Sequence, residues 1–99
     1  MSRIVYVNGE YVPEEDAMIS VFDRGFLFAD GVYEVSAVIN RKLVDNDAHM
    51  ARLARSMNEL KMKPPGTAEE IEAIQLKLIE ENDLNEGVIY LQVTRGAAD

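Results

Sequence analysis

At 99 residues, with 47% hydrophobic and 28% charged side chains, the chain has material for one globular domain with its own core and too little for two. No apolar run approaches the roughly 18 residues of a membrane span, and the first residues leave no room for the apolar stretch of a signal peptide. A formal charge of −8 argues against nucleic acid, and the lack of cysteine excludes disulfides and thiolate metal sites, which fits a reducing compartment and makes the cytoplasm the expected location.

The first signal along the chain is Asn8-Gly9, flanked by Arg3 to Val7 and Glu10 to Val12. That dipeptide supplies the two positive-φ residues of a type I′ turn, so the chain is expected to open with a β-hairpin. Pro13 and the acidic run Glu14 to Asp16 end it, and Ala17 to Phe22 reads as a short extended segment. Asp23 to Val35 then organises the rest. Two glycine turns, Arg24-Gly25 and Asp30-Gly31, are expected to bracket Phe26-Leu27-Phe28 and feed a strand over Val32 to Ile39, rich in β-branched residues. Asn40-Arg41 makes a second tight turn, and Lys42 to Val44 pairs back.

Asp45-Asn46-Asp47 offers N-cap oxygens and negative charge for a helix whose core stripe is Met50, Leu53, Ala54, Met57 and Leu60. Pro64-Pro65-Gly66 stops it. Thr67 and Glu70 have capping-box spacing for a second helix, with Ile71, Ile74, Gln75 and Leu78 on its inner face and an end near Asn82. Asn85 to Gly87 is the turn out. Val88 to Thr94 is apolar enough to pair at the centre of a sheet. Hairpins grouped with side-by-side helices predict an α+β domain over 1–99, a mainly antiparallel sheet covered on one face by two helices.

Strand alternation sends Tyr33 and Glu34 to opposite faces. Tyr33 shares its face with Val35, Ala37 and Ile39, so its hydroxyl is a lone polar handle on an apolar wall, the composition of a small-ligand pocket. Glu34, on the other face, is expected to be a buried partner for a neighbouring arginine or amide; Arg24 and Arg95 are both candidates. Arg52 lies on the helix stripe His49, Arg52, Ser56, beside the apolar face, from which a guanidinium can reach over the core edge toward an anion. His49 is the sole histidine and has no obvious orienting partner, so a structural role suits it better than general base. No metal site is expected: Asp45-Asn46-Asp47 fails as a calcium-loop start because Met50 and Ser56 stand where glycine and glutamate are needed.

Four motifs stand in register along the chain: Asp23-Arg24-Gly25, Asp30-Gly31-Val32-Tyr33-Glu34, His49-x-x-Arg52-Leu53, and Gln92-Val93-Thr94-Arg95-Gly96. Together they resemble the N-terminal signature of the class IV, fold type IV aminotransferases that use pyridoxal 5′-phosphate, in particular the D-amino-acid group. The resemblance implies the fold's small N-terminal domain, a homodimer, and amino-group exchange between D-amino acids and 2-keto acids. It assigns Arg52 the cofactor phosphate, which a planar fork suits through two parallel charge-assisted bonds. It places Tyr33 at the substrate, near its carboxylate, with Val35 lining the same pocket by alternation.

The family's proteins run nearly three times as long as this chain, so a fragment is expected, with the cofactor-bonding lysine beyond Asp99. Lys42, Lys61, Lys63 and Lys77 lack the desolvated or cation-flanked setting that keeps an amine neutral. No catalytic residue is therefore expected within the chain, and alone it is expected to be inactive. Branched-chain aminotransferases and aminodeoxychorismate lyases share the fold and are the alternatives, and a free-standing dimerisation module is the alternative of another kind.

Overall fold

The computed structural model describes residues 2–98. The chain opens with β1 (Ile4–Val7) and β2 (Glu10–Pro13), an antiparallel pair in which Val5 faces Val12 and Tyr6 faces Tyr11. Asn8 and Gly9 carry φ of 49° and 96°, the two positive values that a type I′ turn needs to match strand twist. Asn82 ties this hairpin to the body: its side chain accepts from Ile4 N at 2.8 Å and donates to Ile4 O at 2.9 Å.

The main sheet has the order β4-β3-β5, formed by β3 (Gly31–Ile39), β4 (Lys42–Leu43) and β5 (Gly87–Thr94), with both pairings antiparallel. Asn40 and Arg41 turn β3 into β4 with φ of 51° and 64°. The strain at Arg41 is offset by its N–H bond to Asn85 O at 2.9 Å and its ion pair with Asp83. β5 pairs with β3 alone among the described residues, so the central strand is β3 and not the more apolar β5. An apolar run reads as central when both its faces are covered; here helices cover only one, and Val88 and Tyr90 on the other face are exposed.

Two helices, α2 (Asn46–Glu59) and α3 (Ala68–Glu81), lie on that covered face. Met50, Leu53, Met57 and Met62 form one core cluster with Val32, Leu91 and Val93 of the sheet; Val38, Ile79 and Ile89 form a second with Leu43, Leu78 and Leu84. The α3 start is the expected capping box, with Glu70 N donating to Thr67 Oγ1 and Thr67 N to Glu70 Oε1.

Both helices end by the same device. Lys61 and Asp83 take left-handed φ of 55° and 49°, and the N–H groups of Met62 and Leu84 reach back to Met57 O and Ile79 O at 2.8 and 3.0 Å. These are Schellman ends, in which the residue after the left-handed one packs on the last helical turn. Hence Met62 fills the place expected of Leu60, and Leu60 and Ala54 are exposed. The inner face of α3 is likewise turned slightly from expectation: Gln75 and Ile79 are buried, while Ile71, Ile74 and Leu78 are half-buried.

The segment expected to be a pair of glycine turns holds a short helix, α1 (Arg24–Phe28). Asp23 caps it by accepting from Gly25 N at 2.8 Å. Glycine at 25 serves close packing and not a positive φ: an added Cβ would run into Thr94 Cγ2 at the end of β5. Arg24 N donates to Gly96 O and Arg95 N to Asp30 O, fastening α1 to the chain after β5.

Candidate functional site

β3 alternates strictly, and its inward row reads Val32, Glu34, Ser36, Val38. The apolar ends of that row enter the two core clusters; the polar middle lies between them under α2 and α3. Polar groups in such a place must find partners. Ser36 Oγ donates to Asn46 Oδ1 at 3.2 Å, and Asn46 Nδ2 donates to Glu72 Oε1 and Gln75 Oε1 at 2.9 and 3.0 Å. Asn46 therefore spends its amide inside the fold, not as a cap. Asp45, at the cap position with φ of 54°, makes no side-chain capping bond either, so the expected N-cap is missing, while Asp47 does place negative charge in the first turn of α2.

Glu34 is 3% exposed, and its partners come from α2. Arg52 Nε donates to Oε2 and Arg52 Nη2 to Oε1, both at 2.8 Å, a bidentate fork; His49 Nδ1 meets Oε1 at 2.7 Å. His49 and Arg52 are three apart on the helix and so present to one strand residue together. The hydrogen bond from Arg52 is the main force holding the Glu34 carboxyl below its ordinary range; burial opposes it and His49 adds to it. Glu34 in turn raises Arg52. An ionised carboxylate can only accept, so His49 carries its proton on Nδ1.

This triad corrects two expectations. Glu34 pairs with Arg52 and His49, whereas Arg95 pairs with Asp30 at 2.7 Å and Arg24 has no ion pair among the described residues. His49 does have an orienting partner, Glu34 itself. The spacing of His49 and Arg52 was legible from the sequence; their convergence on a strand fifteen and eighteen residues earlier was not.

Arg52 nevertheless remains 58% exposed at its side chain. Two of the five guanidinium N–H groups are used on Glu34, so three remain to face outward. Arg52 borders a depression of about 370 Å³ lined also by Tyr33, Glu34, Val35 and Ser56. Its position follows from the topology. β4 pairs with Val38 and Ile39, so among the described residues the earlier part of β3 has no strand beside it on that side. Arg52, Tyr33 and Val35 thus border one depression, together with Ser56, one helical turn beyond Arg52. None of the chain's lysines lines it.

A larger open depression, about 640 Å³, lies against Phe22, Arg24, Leu27, Phe28 and Leu60. No three histidine, aspartate or glutamate side chains gather as a metal site among the described residues.

The sequence profile of the amino-transferase class IV family matches residues 31–99, from the first residue of β3 onward. The chain belongs to the class IV aminotransferases. Among its family relatives are the D-alanine aminotransferase of Staphylococcus aureus (strain MSSA476), 40% identical over 95 residues, and that of Listeria monocytogenes serotype 4b (strain F2365), 44% identical over 92 residues. These alignments take in 96% and 93% of the chain but 34% and 32% of the relatives, so the chain spans about a third of their length. The fold matches a T.th. branched-chain amino acid aminotransferase with pyridoxamine 5′-phosphate, with TM-score 0.91 and 22% identity over all of this chain and 34% of that one. A branched-chain aminotransferase of Thermoproteus uzoniensis matches with TM-score 0.78 and 28% identity over 93% of this chain and 32% of that one. The expected α+β architecture of class IV aminotransferases is therefore the observed one, and no helix among the described residues is long and apolar enough to cross a membrane.

Proposed function

We propose that this chain forms the phosphate-side wall of the cofactor and substrate cleft in a pyridoxal-phosphate-dependent transaminase that exchanges amino groups between D-amino acids and 2-keto acids. The observation that carries the reading is the clamped Arg52: a guanidinium held by a buried carboxylate, with three N–H groups not used on Glu34, at the border of a depression shared with Tyr33 and Val35. A phosphate fits this donor set. Glu34 fixes the plane of the fork before any anion arrives, so little rotamer freedom is lost on binding. Ser56 adds a hydroxyl on the same helical stripe. The negative charge of Glu34 stands behind the fork and tempers its pull, so Arg52 acts as an oriented pair of donors more than as a bare charge.

Pyridoxal phosphate, when bound, supplies an electron sink for the carbon that loses its proton. In this reading Arg52 holds the phosphate end, Tyr33 presents its hydroxyl to the substrate carboxylate, and Val35 packs on the substrate side chain. No lysine of this chain borders the depression; in this reading the amine that bonds the cofactor and moves the proton lies in the part of the relatives' length that the chain does not span. The whole protein is a homodimer, a reading supported by the exposed apolar run Met18, Ile19, Val21, Phe22 and the exposed aromatics of α1.

Preference for D-amino acids is supported by relatives 39–44% identical that are D-alanine aminotransferases. A branched-chain L-amino-acid reading is favoured only by the fold matches at 22–28% identity. The full-length protein, assayed with 2-oxoglutarate as acceptor, is expected to turn over D-alanine and leave L-leucine. Preference for L-leucine would transfer the chain to the branched-chain reading; turnover of neither donor, nor of any D-amino acid, would remove the transaminase proposal.

A further inference from the structure

On the open face of the sheet, Tyr33 lies across from Gln92, and Val35 across from Tyr90. Tyr33 and Tyr90 are therefore diagonal neighbours, within reach of one another for large rings. Their rings stack, with centroids 5.6 Å apart and planes 16° from parallel. Both are exposed, 63% and 57%, so neither ring is held by the core. They hold each other.

The two hydroxyls are used differently. Tyr90 donates to Gln92 Oε1 at 2.8 Å, which pins the outer end of its ring to its own strand. Tyr33 makes no side-chain hydrogen bond among the described residues and borders the Arg52 depression. The phenol oxygen lies on the χ2 axis, so χ1 places it and the ring plane sets where its O–H points; a stacked ring limits both torsions without touching the hydroxyl. We propose that Tyr90, anchored by Gln92, is a positioning residue: by stacking, it sets the plane of Tyr33 and aims the Tyr33 hydroxyl at the substrate carboxylate. The inference rests on the assignment of Tyr33 to the substrate given above, and goes beyond it by naming what holds Tyr33.

The test is a double-mutant cycle in the full-length protein, with D-alanine kinetics and retention of pyridoxamine phosphate as separate readouts. Tyr90→Leu is expected to lower kcat/KM roughly three- to ten-fold, mostly through KM, as the loss of an aromatic pair implies. Tyr90→Phe keeps the stack and loses only the Gln92 anchor, so its loss should be smaller than that of Tyr90→Leu. In a Tyr33→Phe background Tyr90→Leu should be silent, because no hydroxyl remains to be aimed, and cofactor retention should be unchanged throughout. Tyr90→Val, β-branched and suited to a strand, replaces Tyr90→Leu if that variant does not fold. Equal losses in both backgrounds, or no loss while Tyr33→Phe is impaired, would overturn the positioning role and leave the substrate assignment standing. A silent Tyr33→Phe would overturn both.

Discussion

The two faces of the β3–β5 sheet use similar strands in opposite ways. On β3 the row under the helices is Val32, Glu34, Ser36, Val38, and the open row is Tyr33, Val35, Ala37, Ile39. The covered row is the more polar of the two. Glu34 and Ser36 are 3% and 0% exposed, while Tyr33 and Ile39 are 63% and 57% exposed. The difference teaches that hydrophobicity along a strand does not alone choose its buried face. Helix placement does, and it makes polar burial tolerable only because α2 brings Arg52, His49 and Asn46 to meet it, with Gln75 of α3 accepting from Asn46 behind them. An apolar row left open, beside an anion-ready guanidinium, is the counterpart expected of a surface that works by contact with something outside the helix layer.

The largest effect on this comparison belongs to the covered face. Leu53, 1% exposed, is at the centre of the first core cluster, and Leu53→Ala should cost about 2–5 kcal/mol in chemical denaturation. A cost below about 1 kcal/mol would mean that the α2 interface is not packed as described.

Arg52→Ala comes next and acts on the site. In the full-length protein it is expected to weaken retention of pyridoxamine phosphate roughly 30- to 1,000-fold, because that form is held without a covalent bond. Arg55→Ala, exposed and three residues along α2, is the control and should leave retention unchanged. Equal retention by both variants in equilibrium dialysis removes Arg52 from the phosphate.

Tyr33→Phe tests the open face. Loss of one hydrogen bond to a charged group predicts a fall in kcat/KM for D-alanine of roughly ten- to a hundred-fold, with cofactor retention intact. Unaltered turnover with a lowered melting temperature would make Tyr33 a packing residue.

Glu34→Gln joins the faces, since it keeps the shape and removes the charge that fixes Arg52. It should cost about 1–3 kcal/mol at neutral pH, discounted toward the lower figure because exposed Arg52 can rehydrate. The carboxyl is held below its ordinary value, so its contribution is present above the unfolded value, about pH 4.3, and is lost as pH falls through the lower folded value. Unfolding free energy measured from pH 7 to pH 3 should therefore decline more steeply in the parent than in Glu34→Gln. Parallel acid limbs would show that Glu34 is not the stabilised carboxylate.

What the sequence determined by itself is whatever a few neighbouring residues can specify. Asn8-Gly9 has two residues that accept positive φ, so the hairpin turn follows without reference to the rest of the chain. Thr67 and Glu70 satisfy each other's backbone N–H groups across one helical turn, and the Met50, Leu53, Met57 spacing marks a helix face, so both helices were legible too. The Arg52, Tyr33 and Val35 candidates came from motif resemblance and alternation, which identify residues and faces but not distances. Tertiary structure alone decided that the partners of Glu34 are His49 and Arg52, that Asn46 turns inward and leaves the helix start uncapped, and that Met62 replaces Leu60 in the core. Each depends on how far one element slides or rotates against another: a residue of shift along α2 would take Arg52 off Glu34, and the left-handed φ at Lys61, not helical periodicity, swings Met62 inward. The edge position of β5 was hidden for the same reason, because an apolar strand carries no record of how many of its faces the rest of the chain can cover.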